Sequence, residues 1–85
     1  MLFRSSHADF KKLIAGKSKD EVVKVLGKPV SSTVIGKTET MGYSGITYEK
    51  TPATLDTSVT VTIEDGKVRN WLFLTADFKY ILGEP

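Results

Sequence analysis

Few residues in this chain can do chemistry, and their spacing narrows what they can do. There is one histidine, His7, near the start, and there is no cysteine. A zinc site needs a tetrahedral set of nitrogen and sulfur ligands, so a lone imidazole without thiolates builds no metal centre. Nucleophilic catalysis needs a hydroxyl or thiol beside a base that a further group orients. Serines are plentiful, but no motif frames His7, which reads as a surface or helix-start residue. The clustered acids are Asp20-Glu21 and Glu64-Asp65. Each pair falls where the backbone has its own use for it, at a helix start and a hairpin turn. A glycosidase needs two carboxylates converging across a cleft, and a chain of 85 residues leaves little room for one. The glycines are turn and cap residues and form no phosphate-binding loop. The expectation is no catalytic residue, no metal ligand, no cofactor and no enzymatic activity.

Binding chemistry is better represented. Arg69, Trp71 and Phe73 alternate along "VRNWLFLT", and arginine and large aromatics are the residue types enriched at binding hot spots. Tyr43 and Tyr48 extend such a patch if neighbouring strands bring them alongside. A second chemistry lies in Lys11, Lys12, Lys17, Lys19, Lys24 and Lys28. Residues 1–28 hold seven basic residues against three acids, a local charge of +4, and residues 29–85 hold five against seven, or −2. That balance reads first as a solvated helix surface, and second as a binder of nucleic acid or of an anionic membrane. The arginines and interleaved aromatics that favour nucleic acid are missing there, apart from Arg4.

The elements that must position these groups begin with "HADFKKLIAG". Phe10, Leu13 and Ile14 share one helical face, Ser6 and Asp9 suit the helix start, and Gly16 suits its end. "GKSKDEVVKVLGKP" spells a second helix. Ser18 and Glu21 form a capping box, Val22, Val25 and Leu26 line one face with Val23 beside it, and Gly27 with Pro29 ends it. A helix this short is marginal alone below about 12–15 residues, so it needs its cap, about 1 kcal/mol, and a surface to pack on.

That surface is a sheet. "VSSTVIG" reads as a weak first strand turning at Gly36-Lys37. "TETMGYSGITYEK" reads as a second strand whose phase slips at Ser44-Gly45, which predicts a bulge or bend. "TPATLDT" reads as a loop. "SVTVTIEDGKVRNWLFLT" is the clearest hairpin, with Asp65-Gly66 a type I′ turn signal. A two-residue turn pairs Ile63 with Val68, Val61 with Asn70 and Val59 with Leu72. This puts Val59, Val61, Ile63, Val68, Leu72 and Leu74 on one face, and Thr60, Thr62, Arg69, Trp71 and Phe73 on the other. A three-residue turn with a bulge shifts the register by one. The first is preferred because it matches apolar with apolar. "ADFKYILGEP" is apolar enough to dock but too short to assign. Helices followed by strands predict an α+β fold, with two short N-terminal helices packed on one face of a three- to four-stranded antiparallel sheet. The sheet's other face is then free for a protein partner or a second copy.

Length predicts one domain across residues 1–85 with a modest core, burying about 60–65% of the unfolded surface. The hydrophobic share of 40% is ordinary for a soluble domain. No apolar run approaches the ~18 residues that span a bilayer. "MLFRSSHADF" has no apolar signal core or cleavage site, so the sequence reads as cytoplasmic, or as periplasmic or outer-membrane-associated with its export signal or anchor removed.

The order of motifs resembles the SmpA/OmlA (BamE-like) group and the wider set of domains folded like the repeat unit of beta-lactamase inhibitor protein. In that pattern Gly-x-[Ser/Thr]-x-x-Glu-Val leads to Leu-Gly-x-Pro, and Gly16, Ser18, Glu21, Val22, Leu26, Gly27 and Pro29 match it. Asp65, Gly66, Lys67 and Val68 match the closing turn. The resemblance spans roughly residues 10–74. Lys17 stands where Met is frequent, Met41-Gly42-Tyr43 replaces the usual aromatic pair, and the lipobox cysteine of the lipoprotein members is missing. The resemblance implies two helices on an antiparallel sheet and a protein-binding or structural role in the cell envelope without catalysis.

Overall fold

The computed structural model describes residues 4–85; the first three residues of "MLFRSSHADF", the stretch without a signal core, lie outside it. A short strand, β1 (Ser5–Ser6), runs into α1 (His7–Ile14) and is followed by α2 (Lys19–Leu26). Then come β2 (Ser31–Ile35), β3 (Thr38–Tyr43), β4 (Thr47–Tyr48), β5 (Ser58–Glu64), β6 (Lys67–Leu74) and β7 (Tyr80–Gly83). The main sheet is antiparallel in the order β2-β3-β5-β6-β7, and β1 pairs in parallel with β4. The fold is α+β, with the helices preceding the sheet in sequence and packing on one side of it. The tail "ADFKYILGEP" supplies the fifth strand.

Both helices are capped as their residues dictate. The Ser6 hydroxyl accepts from the Asp9 N–H at 3.2 Å. In α2 the Ser18 hydroxyl accepts from the Glu21 N–H at 3.2 Å, and the Glu21 carboxylate accepts from the Ser18 N–H at 2.9 Å. Gly27 ends the helix at φ 87°. Tertiary contacts then pin α2 over β3 at both ends. At one end the Lys19 ammonium meets Glu39 at 2.8 Å, and Glu39 also accepts from the Ser32 hydroxyl at 2.8 Å. At the other, the Tyr43 hydroxyl donates to the Gly27 carbonyl at 2.8 Å. The start of α2 is tied to the β5–β6 turn as well, with Lys19 N–H donating to Gly66 O and Val68 N–H to Lys17 O.

The β5–β6 turn has the two residues the sequence predicts, with Asp65 at φ 51° and Gly66 at φ 79°, the type I′ pattern. Ile63 pairs with Val68 as expected. One step further the register departs from expectation. Thr62 pairs with Asn70, Val61 with Trp71 and Val59 with Phe73, so Arg69 is an inserted bulge residue. Beyond a one-residue insertion every side chain changes face. Trp71 and Phe73 therefore point toward the helices, and Leu72 and Leu74 point away, the reverse of the predicted arrangement.

The core gathers Phe10, Ile14 and Val22 from the helices against Met41, Tyr43, Val59, Val61, Ile63, Trp71 and Phe73 from the sheet. Phe10 meets Trp71 and Phe73 edge-on, at ring separations of 6.4 and 5.7 Å. Gly83 lies opposite Trp71, and a Cβ there would fall inside the indole, so the missing side chain is what lets β7 close over the ring. At Gly45, with φ 64°, the chain leaves the sheet and β4 departs toward β1, which is the bend predicted at Ser44-Gly45.

Trp71→Ala is expected to cost about 3–5 kcal/mol, the large-to-small core penalty, while Leu72→Ala on the opposite face costs much less; urea denaturation of both variants compares them, and equal losses would place Trp71 outside the core. A second expectation concerns acid. The Lys19 and Ser32 hydrogen bonds hold the Glu39 carboxyl below its ordinary range. A lowered native value gives stability that is present above the unfolded carboxylate value and lost as pH falls through the native one. Glu39→Gln is expected to flatten this part of the acid limb in a pH series of thermal melts.

Candidate functional site

The five residues expected to form a binding patch do not come together. Trp71, Phe73 and Tyr43 are core residues, 1%, 2% and 3% exposed. Burial raises the Tyr43 phenol's pKa, and its hydroxyl is spent on Gly27. Tyr48 is half-buried in the small parallel sheet, opposite Ser6 and bridged to Leu55. Arg69 is exposed at the bulge, where it ion-pairs with Glu64. The expectation of a Trp71–Phe73 surface is thus corrected by the bulge that turns both rings inward.

The side of the sheet away from the helices carries the other alternation. Its centre is hydroxyl-rich, with Thr40, Thr60 and Thr62 on adjacent strands. Its β6–β7 end is apolar. Leu72 pairs with Leu82 and Leu74 with Tyr80, and Tyr80 and Leu82 are 69% and 58% exposed. Phe78 stands at the turn between these strands, 74% exposed and at φ 62°. A bulky residue in the left-handed region is strained, and strain of this kind concentrates at working surfaces. The turn is held by Thr75, whose hydroxyl donates to Asp77 at 2.6 Å and accepts from the Lys79 N–H at 3.0 Å. The first of these contacts lowers the Asp77 carboxyl's pKa.

A second grouping was not foreseen. His7, the first residue of α1, stacks on Phe73 at 3.6 Å and meets the Asp56 carboxylate through Nε2 at 2.6 Å. The same Asp56 oxygen accepts from the Thr47 hydroxyl at 2.7 Å. Asp56 is only 4% exposed, so these donors satisfy a carboxylate that water barely reaches. His7 is a helix-start residue as expected, but it is a packed and hydrogen-bonded one. The nucleophile of a hydrolytic triad would sit on the imidazole nitrogen away from the carboxylate. Thr47 instead shares the carboxylate, and among the described residues no hydroxyl is bonded to the second nitrogen of His7. The geometry is that of a clasp joining the start of α1 to the β4–β5 loop.

Beside the clasp lies a cavity of about 220 Å³, bordered by Glu49, Lys50 and Asp56 on one side and by Thr75, Ala76 and Asp77 of the β6–β7 turn on the other. Among the described residues no three carboxylate or imidazole groups converge to hold a metal ion. The cavity's exposed lining is mostly apolar, and two of its three acids are already engaged, Asp56 by His7 and Thr47, and Asp77 by Thr75 and Lys79.

Nothing in the sequence pointed to Asp56, since the clasp joins residues far apart in the chain. For Tyr80 and Leu82 the signal was present, as an apolar tail, but its strand was not assignable. No family model, no curated protein and no solved structure matches this chain.

Asp56→Ala leaves the Thr47 hydroxyl and the His7 imidazole without their acceptor and is expected to cost about 1–3 kcal/mol. The double variant with His7→Ala should lose less than the sum of the two single losses. Strict additivity in urea denaturation would show that the two residues act independently.

Proposed function

We propose that this domain is a non-enzymatic protein-interaction module whose docking surface is the outer side of the β6–β7 hairpin, and that it works in the cell envelope, as its SmpA/OmlA-like motifs imply. One observation carries the reading: on the side of the sheet that the helices leave open, Leu72, Leu74, Tyr80 and Leu82 form an apolar band with Phe78 at its end. Contiguous exposed apolar surface at a hairpin rim is a common mark of protein contact sites. The strained Phe78 adds to this, because glycine would relax the turn and an aromatic there costs folding stability. The partner is a protein presenting an apolar surface, and the cavity beside the turn, with its mostly apolar lining, continues the band.

Phe78→Gly separates binding from stability. It removes the ring and relieves a left-handed backbone, a gain of up to about 1 kcal/mol. The expected result is a domain at least as stable as the parent that captures its native partner weakly. Leu82→Lys should also abolish capture, while Lys11→Glu and Lys24→Glu on the helices leave it intact, and raised salt should change little. Capture that survives both hairpin changes but fails with the lysine variants and at high salt would overturn this reading. Binding of nucleic acid or an anionic membrane through the helices would then replace it.

A further inference from the structure

The two edges of the main sheet differ in length and exposure. β7 has four residues and is bracketed by Lys79, Glu84 and Pro85, the charges and proline that keep an edge from pairing further. β2 is flanked in the same way, by Lys28 and Pro29 before it and Lys37 after it, but it is one residue longer and exposed along its whole length. From Val30 to Gly36 the chain has neither a charge nor a proline. All five β2 residues are exposed, and Val34 and Ile35 expose 64% and 76% of their surface. Val34 lies opposite Glu39, on the helix side of the sheet, yet α2 is pinned over β3 and leaves it bare.

The backbone groups left free on this edge can be counted. A two-residue turn closes on a hydrogen-bonded pair, here Ile35 with Thr38. Alternation then directs the N–H and C=O of Ile35, Thr33 and Ser31 to β3, and those of Ser32 and Val34 outward.

We infer that a second copy of this chain pairs along β2, strand against strand in antiparallel register, about a two-fold axis at Thr33. In that register Ser32 of each copy faces Val34 of the other, and all the outward N–H and C=O groups of these residues are satisfied. Thr33 meets its own counterpart in a non-hydrogen-bonded pair, and threonine pairs at such positions are favourable. Ile35 lies against Ser31 of the other copy. No charge meets a like charge within the ladder. Self-complementarity selects a second copy as the occupant: a two-fold contact uses one patch twice, and this patch is neutral and fits itself, so a charged foreign strand gains no ion pair here. The joined assembly is one continuous ten-stranded sheet with both helix layers on the same side. The β6–β7 hairpins sit at its two far ends, so the inference stands independently of the function proposed for them. A contact of this length is small, and the association is weak and reversible.

Sedimentation equilibrium of the full chain, up to about 1 mM, is expected to show a monomer–dimer equilibrium insensitive to salt. Val34→Lys places ammonium groups close to the axis, and Val34→Pro removes an outward N–H. Each should weaken the dimer at least about tenfold, with the circular dichroism spectrum and urea midpoint retained. Thr33→Cys tests the register without altering the core. Cα atoms of a non-hydrogen-bonded pair lie about 4.5 Å apart, within disulfide reach, and the chain has no cysteine of its own. Mild oxidation should therefore yield a covalent dimer, whereas Leu82→Cys on the opposite edge should not. A chain that stays monomeric over the whole range overturns the inference. So does a dimer that withstands both Val34 changes, or one that is cross-linked through Leu82→Cys but not through Thr33→Cys.

Discussion

Opposite Ile63 of β5 stand two residues of β6, Val68 and Arg69. The inserted residue reverses the facing of everything after it, and the core is assembled on the result. Without it, two leucines would face the helices and the two largest rings of the hairpin would face water. With it, Trp71 and Phe73 meet Phe10 edge-on, and the leucines move to the open side. Aromatic rings bury more apolar area per residue than leucine does. In a domain of 85 residues that area is a large part of what stabilises the fold. The bare Gly83 is the matching half of the same arrangement, since the indole occupies the space its side chain would fill.

The helices depend on this core, and their own residues prepare them for it. Neither eight-residue helix is stable alone. The Ser18–Glu21 capping box removes orphan backbone groups, and the Lys19–Glu39 and Tyr43–Gly27 contacts fix where α2 lies. Placing α2 over β3 covers the middle of the sheet and leaves β2 beyond its reach, which is why an edge strand rich in β-branched residues stays uncovered. The His7–Asp56–Thr47 clasp does for α1 what the cap does for α2. It ties the helix start down, and it does so through the loop that borders the cavity.

The molecule is thereby divided into two chemically distinct sides. The helix side is basic, though Lys19 is withdrawn from it by Glu39. The open side is hydroxyl-rich in the middle and apolar at the β6–β7 end. Phe78 sits at that end in a backbone conformation that glycine would adopt at less cost. Packing does not account for the aromatic there, because the ring is mostly in solvent.

The α+β class, both capped helices, the Gly36 and Asp65-Gly66 turns, the bend at Gly45 and the valine face of β5 were all legible in the sequence, because each is set by neighbours within a few residues. Capping, positive φ and period-two alternation are local physics. What the sequence left open was the face of Trp71 and Phe73. In "WLFL" both phases are apolar, so alternation alone cannot orient the strand, and the bulge that decides it has no glycine or proline to mark it. The docking of "YILG" as a fifth strand, the pairing of β1 with β4 and the His7–Asp56 clasp also join residues distant in the chain, and no local pattern encodes a partner that far away. Local chemistry therefore determined which elements form and where they stop. Tertiary packing decided which side of each strand is buried, because the aromatic rings bury most area only when the helices lie above them.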